Sequence, residues 1–244
     1  MQILDIDWGN TRLKWRLAQG DKVLGAGGSG DPVADLLPAL KDQYGTCERC
    51  RVASVRDDAS NEKLADAVAA CFGLDVEFAA ISASSQGLSN SYATPKTMGV
   101  DRWCSMVALW SELSQAFCLV SYGTAVTIDC VDSNGQHVGG YISPGVRMQL
   151  QSINEGTGRI AIDIGAPIDT DLSLADNTSD AVHRGIVASI VAHTRDRYLA
   201  FSDTQQAAPL ILAGGDAEAL APHLSLPCTI RQALVLDGLP LLLP

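Results

Sequence analysis

The chain has 244 residues, 47% of them hydrophobic and 18% charged, enough to bury a core without disulfides or metal and too apolar for a disordered chain. Its formal charge of −11, from 17 basic and 28 acidic residues, excludes a broad basic nucleic-acid footprint. An anion can be bound only through a local cluster of backbone N–H groups, a few Lys or Arg, or a metal ion. No apolar run nears the ~20 residues that cross a bilayer, and acids stand near the start where a signal peptide carries bases. The seven Cys lie scattered in apolar surroundings. These features read as a cytoplasmic chain with reduced core thiols and no membrane partner.

Residues 2–8, QILDIDW, read as a buried strand that ends near Asp7, followed by a turn at Gly9-Asn10-Thr11. Residues 12–17 alternate polar and apolar, the period of a half-buried strand. Gln19-Gly20-Asp21 is a turn signal, and 22–24 form a third short strand. Asp31-Pro32 opens a helix, with Asp as N-cap and Pro at the first position. A strand at 51–55, a helix at 59–72 with Leu64, Val68, Ala69 and Phe72 on one face, and a strand at 75–80 complete the order β-β-β-α-β-α-β. The second half repeats it: strands at 117–120, 125–131 and 137–142, a helix after Pro144, a long helix at 179–201, a strand at 209–213, and a helix opened by Gly214-Gly215. At a constant offset of 114, Gly9 falls on Gly123 and Gly25 on Gly139. Matched glycines, turns and strand order indicate an internal duplication. The expected architecture is two similar α/β lobes, 1–115 and 116–244, with a cleft between them that favours a small-molecule site.

Three segments carry chemistry. In Asp7-Trp8-Gly9-Asn10-Thr11 an acid ends a strand and glycine allows a tight hairpin. Such a turn can cradle phosphate oxygens while Asp7 holds Mg²⁺ directly or through water, with Lys14 in reach of a phosphate. The same residues also make a plain hairpin with an Asx-turn. Ser121 to Asp129 repeats the device around Gly123 and Thr124, and two facing hairpins can grip one polyphosphate. Gly99-Val100-Asp101-Arg102 precedes the helical spacing of Trp103, Met106, Val107 and Trp110. It therefore opens a helix, as an anion-favouring site or as a cap with a surface charge.

Twin hairpins in duplicated lobes resemble the superfamily of actin, sugar kinases and heat-shock-chaperone ATPases. Within it the chain resembles type III pantothenate kinases over nearly its whole length. The resemblance rests on DWGNT at 7–11, GVDRW at 99–103, GTAVTID at 123–129, GGYISPG at 139–145, NTSDAVHRG at 177–185 and AGGDAE at 213–218, all in the family's order. It implies an α/β fold of two ribonuclease H-like lobes with duplicated βββαβα topology, and ATP-dependent phosphorylation of pantothenate, the first step toward coenzyme A. It further implies ATP and Mg²⁺ at Asp7, Trp8, Gly9, Asn10, Thr11, Lys14, Gly123 and Thr124, with Asp7 on the metal and Gly214-Gly215 near the nucleoside. By match to the family motif Asp101 is the catalytic base, and Tyr92, Gly99, Val100, Arg102 and Thr178 contact the substrate. For Thr178 a helix N-cap is the alternative, and one residue can serve both. A homodimer is implied, its substrate pocket partly walled by the second subunit. Two departures stand out. Ala213 replaces a Thr, and Ser121 replaces an Asp tied to the monovalent cation, K⁺ or NH₄⁺, that many members require. A neutral serine is a weaker ligand, so either the cation is dispensable or other oxygens bind it.

Rival signals are weaker. Gly25 to Gly30 spell G-x-G-x-x-G but follow a short strand after a hairpin rather than a buried parallel strand. Cys47-x-x-Cys50 is half a zinc motif with no second half, and the four His stand apart in sequence. The alternatives to a kinase are a catalytically weakened nucleotide-binding regulator on the same lobes and an NAD-dependent oxidoreductase using the glycine cluster.

Overall fold

The computed structural model describes residues 1–30, 33–158, 160–206 and 208–244. The helix start expected at Asp31-Pro32 lies outside the described residues. In chain order the elements are β1 (Gln2–Trp8), β2 (Leu13–Gln19), β3 (Lys22–Ser29), α1 (Val33–Tyr44), β4 (Arg49–Ser54), α2 (Asp58–Phe72), β5 (Val76–Phe78), the short β6 (Ser84–Ser85) and β7 (Leu88–Ser89), and α3 (Val100–Leu113). Then follow β8 (Phe117–Tyr122), β9 (Ala125–Val131), β10 (His137–Pro144), α4 (Val146–Gly156), α5 (Thr178–Ser202), β11 (Leu210–Ala213), α6 (Ala217–Leu224), β12 (Cys228–Ile230) and α7 (Leu234–Leu242). They form two compact units, Met1–Glu112 with Ala233–Pro244, and Leu113–Gln232.

The two five-stranded sheets have the same order, β3-β2-β1-β4-β5 and β10-β9-β8-β11-β12. In each, the first three strands are antiparallel and the last two join in parallel. The duplicated topology expected from the sequence is therefore present, and the registers refine it. Trp8 pairs with Leu13 but Tyr122 with Val126, so the first hairpin is one residue longer. The middle strands consequently match at an offset of 113, not 114. The next turn restores the count: Leu17 pairs with Gly25, and Cys130 with Gly139. Both units then skip one residue, Leu24 in β3 and Val138 in β10, which is the same bulge twice.

β3 is longer than the strand expected at 22–24, because Gly25 to Gly28 continue it. They pair with β2 at the sheet edge. A Cβ on Gly27 would lie 3.1 Å from the Trp15 indole nitrogen, and one on Gly25 would strike the Tyr44 ring. These glycines make room for aromatic side chains. They do not form the strand-to-helix turn that a dinucleotide site needs, which overturns the oxidoreductase alternative.

In the first unit Leu4 and Ile6 of β1 and Leu13, Trp15 and Leu17 of β2 point into one core, closed by Leu64 and Val68 of α2. α2 is well terminated: the Asp57 carboxylate accepts from Ser60 N at 2.7 Å, and Gly73 ends it at φ 71°. The other sheet face carries Asp5, 1% exposed. Arg51 reaches it from Nε at 2.7 Å and Nη2 at 3.2 Å, and Arg16 at 3.3 Å. α7 closes over this group. Arg16 donates to Asp237 at 2.6 Å and to the Leu236 carbonyl, Arg51 to Leu243 O at 3.0 Å, and Arg49 to Pro244 O at 2.9 Å. Leu236 and Leu239 pack with Ala53, Val100 and Cys104. The sequence boundary had placed residues 233–244 with the second half, but these contacts group them with the first unit.

The second unit buries Cys118, Val120 and Tyr122 of β8, Val126 and Ile128 of β9, and Leu210 and Leu212 of β11 against Ile186, Val187, Ile190 and Val191 of α5. The buried Tyr122 hydroxyl is satisfied by Thr194 at 2.9 Å. All seven cysteines are free.

Candidate active site

In the first unit the relevant side chains gather where parallel β1 and β4 end. Asp7 and Lys14 are cross-strand partners and so share one face. The Asp7 carboxyl is pushed up to about 6, chiefly by burial; Lys14 opposes this and Asp101 adds to it. The Cys104 thiol is raised by burial and then by both acids, which places Asp7 and Asp101 in one cluster. Beyond Asp7 the chain turns back, with Gly9 N donating to Arg12 O at 3.1 Å and Asn10 and Thr11 exposed.

Asp101 lies in the first turn of α3. One oxygen, Oδ1, accepts from Arg102 N at 2.8 Å. A Cβ on Gly99 would come within 2.5 Å of that oxygen, so the carboxylate can sit there only because residue 99 is glycine. Arg102, 6% exposed, donates to the Tyr92 hydroxyl at 3.0 Å, its guanidinium 5.7 Å from the ring centre. Tyr92 is held in turn by the Asn90 side chain, which accepts from Tyr92 N at 2.9 Å. The structure thus brings Gly99, Val100, Asp101, Arg102 and Tyr92 together at one helix start. It also adds a residue that sequence reasoning missed. Arg56, just past β4, donates to Asn10 O at 2.8 Å and lies 5.6 Å from the Trp8 ring centre. The available signal was a basic residue at the end of a strand parallel to β1, the end where such sheets bind ligands.

Asp7 gives a pH prediction. The folded protein holds this proton more tightly than the unfolded chain does, so stability is lost as pH rises through about 4 to 6. At pH 7.5 without divalent metal, Asp7→Asn is expected to be more stable than wild type by about 2 kcal/mol. Denaturation at pH 7.5 and at pH 4 checks this, and an equal gain at both would assign the effect to packing.

In the second unit, hairpin and glycine turn adjoin. Gly123 N donates to Ala125 O at 3.1 Å, and Gly145 N to Thr124 O at 3.0 Å. A Cβ on Gly145 would strike the Gly123 carbonyl. Gly145 therefore shapes the hairpin from behind, a role the sequence reading did not give it. β11 runs parallel to β8, and Gly214 after it has φ +90°. A Cβ there would lie 2.8 Å from Tyr122 N and strike the Tyr122 carbonyl, while Asp216 N donates to that same oxygen at 3.2 Å. Gly214→Ala is expected to cost roughly 2–3 kcal/mol, from left-handed strain plus collision, read as a lower urea midpoint. Gly215 follows in the same turn, with open space around its Cα.

Ser121 pairs across the ladder with Thr127, at the register position that Asp7 and Lys14 hold in the first unit. Asp129 is fully buried and bonds His137 Nε2 at 3.0 Å. Thr178 is not the N-cap of α5: Asn177 is, its side chain accepting from Asp180 N at 3.0 Å. Thr178 instead lines an open pocket of about 470 Å³ with Ala175, Asp176, Asn177, Ala181 and Val182. No lining residue of that pocket comes from the hairpin or the Gly214 turn.

Two sheets of like order, each with a glycine bend where its leading strand ends, make up the architecture of actin-like ATPases and sugar kinases. The activator of the 2-hydroxyisocaproyl-CoA dehydratase from Clostridium difficile, solved with bound ADPNP, matches with a TM-score of 0.52 at 11% identity, over 99% of this chain and 93% of that one. In sequence, a family model described as type III pantothenate kinase matches residues 3–198. The type III pantothenate kinase of Marinobacter nauticus is 35% identical over 97% of this chain and 96% of its own length. That of Laribacter hongkongensis is 37% identical over 97% and 96%. The fold class is that of an actin-like kinase. The chain belongs to the type III pantothenate kinase family.

Proposed function

We propose that this protein transfers the γ-phosphoryl group of ATP to the primary hydroxyl of pantothenate, giving 4'-phosphopantothenate, as a cytoplasmic homodimer. The observation that supports this most is the clustering of Asp7, Lys14 and Asp101 beside the Gly9 turn, in a chain of this family. In this reading the two hairpins, at Gly9–Thr11 and Gly123–Thr124, offer backbone N–H groups and Lys14 its charge to the phosphates. Gly214 and Gly215 let the backbone approach the nucleoside. Arg102 and Tyr92 orient the acid, with Thr178 hydrogen-bonding one of its polar groups. Asp101 takes the hydroxyl proton as the oxygen attacks phosphorus and the bond to the β-phosphate oxygen breaks.

A divalent cation fits Asp7, a hard oxygen donor with the Asp101 carboxylate in the same cluster. Bound there, Mg²⁺ supplies positive charge to the phosphates. A monovalent cation is not assigned, because Ser121 and the Thr127 opposite offer only neutral hydroxyls. The rate is accordingly expected to stay flat when K⁺ is replaced by choline at constant ionic strength, and a steep K⁺ activation curve would contradict it. Ser121 also favours a second reading, a nucleotide-binding regulator with weakened catalysis. Mass spectrometry of products after mixing protein, ATP, Mg²⁺ and pantothenate separates the two: 4'-phosphopantothenate formed over many turnovers supports the kinase, and its absence favours the regulator.

A further inference from the structure

We infer that Arg56 is a positioning residue for the nucleotide phosphates, acting through the Gly9 hairpin; this rests on the kinase reading above. Its backbone is held in place. Trp8 is paired with Ser54, and Val55 N donates to Trp8 O at 3.3 Å, so residue 56 emerges beside the hairpin. The Ser54 hydroxyl accepts from Arg56 N at 3.1 Å and donates to the Asn61 side chain of α2 at 2.6 Å. Asn61 in turn reaches Arg56 O at 3.4 Å.

The side chain then reaches the hairpin. Nη1 donates to Asn10 O at 2.8 Å, and the guanidinium lies 5.6 Å from the Trp8 ring centre. An exposed hydrogen bond and an exposed cation–π contact add little to stability. They matter more for what they do to the turn. A carbonyl in a phosphate-binding hairpin repels the anion that the neighbouring N–H groups attract. A cation on Asn10 O cancels that repulsion and fixes the peptide planes on either side. To the turn that follows β1 Arg56 also brings a charge that does not titrate, in a chain whose net charge is −11.

The test compares Arg56→Gln and Arg56→Lys with wild type, by steady-state kinetics and by calorimetric binding of AMPPNP with MgCl₂. Arg56→Gln keeps a donor and removes the charge. It is expected to raise the KM for ATP and the Kd for AMPPNP about tenfold, with the KM for pantothenate and the Tm near wild type. Arg56→Lys keeps the charge and is expected to recover most of the loss. AMPPNP binding by Arg56→Gln as tight as wild type overturns the inference. So does a loss shared equally by ATP and pantothenate, or one that Lys does not relieve. If wild type binds AMPPNP but makes no phosphopantothenate, the kinase reading fails while the binding comparison still decides the role of Arg56.

Discussion

Replacing Asp101 by Asn is expected to lower kcat at least ~100-fold while leaving ATP affinity near wild type. The substitution is nearly isosteric. An amide oxygen can still accept from Arg102 N, as Asp101 Oδ1 does at 2.8 Å, so the start of α3 need not move. The Gly99 backbone still leaves space for the group. What disappears is the capacity to take a proton, and with it the negative charge that helps raise the Asp7 carboxyl. Because the hairpins are untouched, AMPPNP should bind as before, which separates a proton-transfer defect from a collapsed site. Turnover close to wild type would remove Asp101 from the reaction.

The second large effect concerns stability. Arg51→Met is expected to cost about 3 kcal/mol, because among the described residues it leaves the buried Asp5 with the 3.3 Å contact from Arg16. It also removes the donor that holds Leu243 O, loosening α7. Taking away both charges should hurt less than taking away one. The double variant Asp5→Leu/Arg51→Met is therefore expected to regain part of the loss, since an apolar pair of similar volume carries no desolvation penalty. Urea denaturation of the four proteins in the cycle gives the coupling directly. An Arg51→Met midpoint equal to wild type would mean that Asp5 finds another partner or water.

Much of this architecture was legible in the sequence, and the exceptions have physical causes. β2, α2 and α5 announce themselves by apolar spacing, while β1, β4, β8 and α3 are read from short apolar runs that are buried on more than one face. The sequence shows less of β3 than the fold has because glycines at 25, 27 and 28 carry no side chain to show alternation; Gly25 admits the Tyr44 ring and Gly27 that of Trp15. α7 gave no helical signal because its run, LVLDGLPLL, is apolar almost throughout and contains Pro240. Its place is fixed by Arg16 and Arg51, which reach across 221 and 192 residues of chain, a distance no local pattern encodes. Within the candidate site, Asp7, Gly9, Asp101 and Gly214 were readable because each combines a special residue with a turn or helix start. Arg56 was not, since its link to Asn10 spans 46 residues and depends on β4 lying parallel to β1. For Thr178 the alternative role of cap fails because the preceding Asn177 amide takes it, a choice that two adjacent polar residues at a helix start leave open in sequence.

The return of residues 233–244 to the first unit makes that unit discontinuous in the chain, with Leu113–Gln232 interposed. In order of synthesis the whole interposed segment precedes α7. Until then the carboxylate of Asp5 and the guanidinium of Arg51 lack their cover, and Leu236 and Leu239 are not yet there to seal α3. A chain that ends just before residue 233 therefore contains every strand of both sheets but lacks the helix that closes the first.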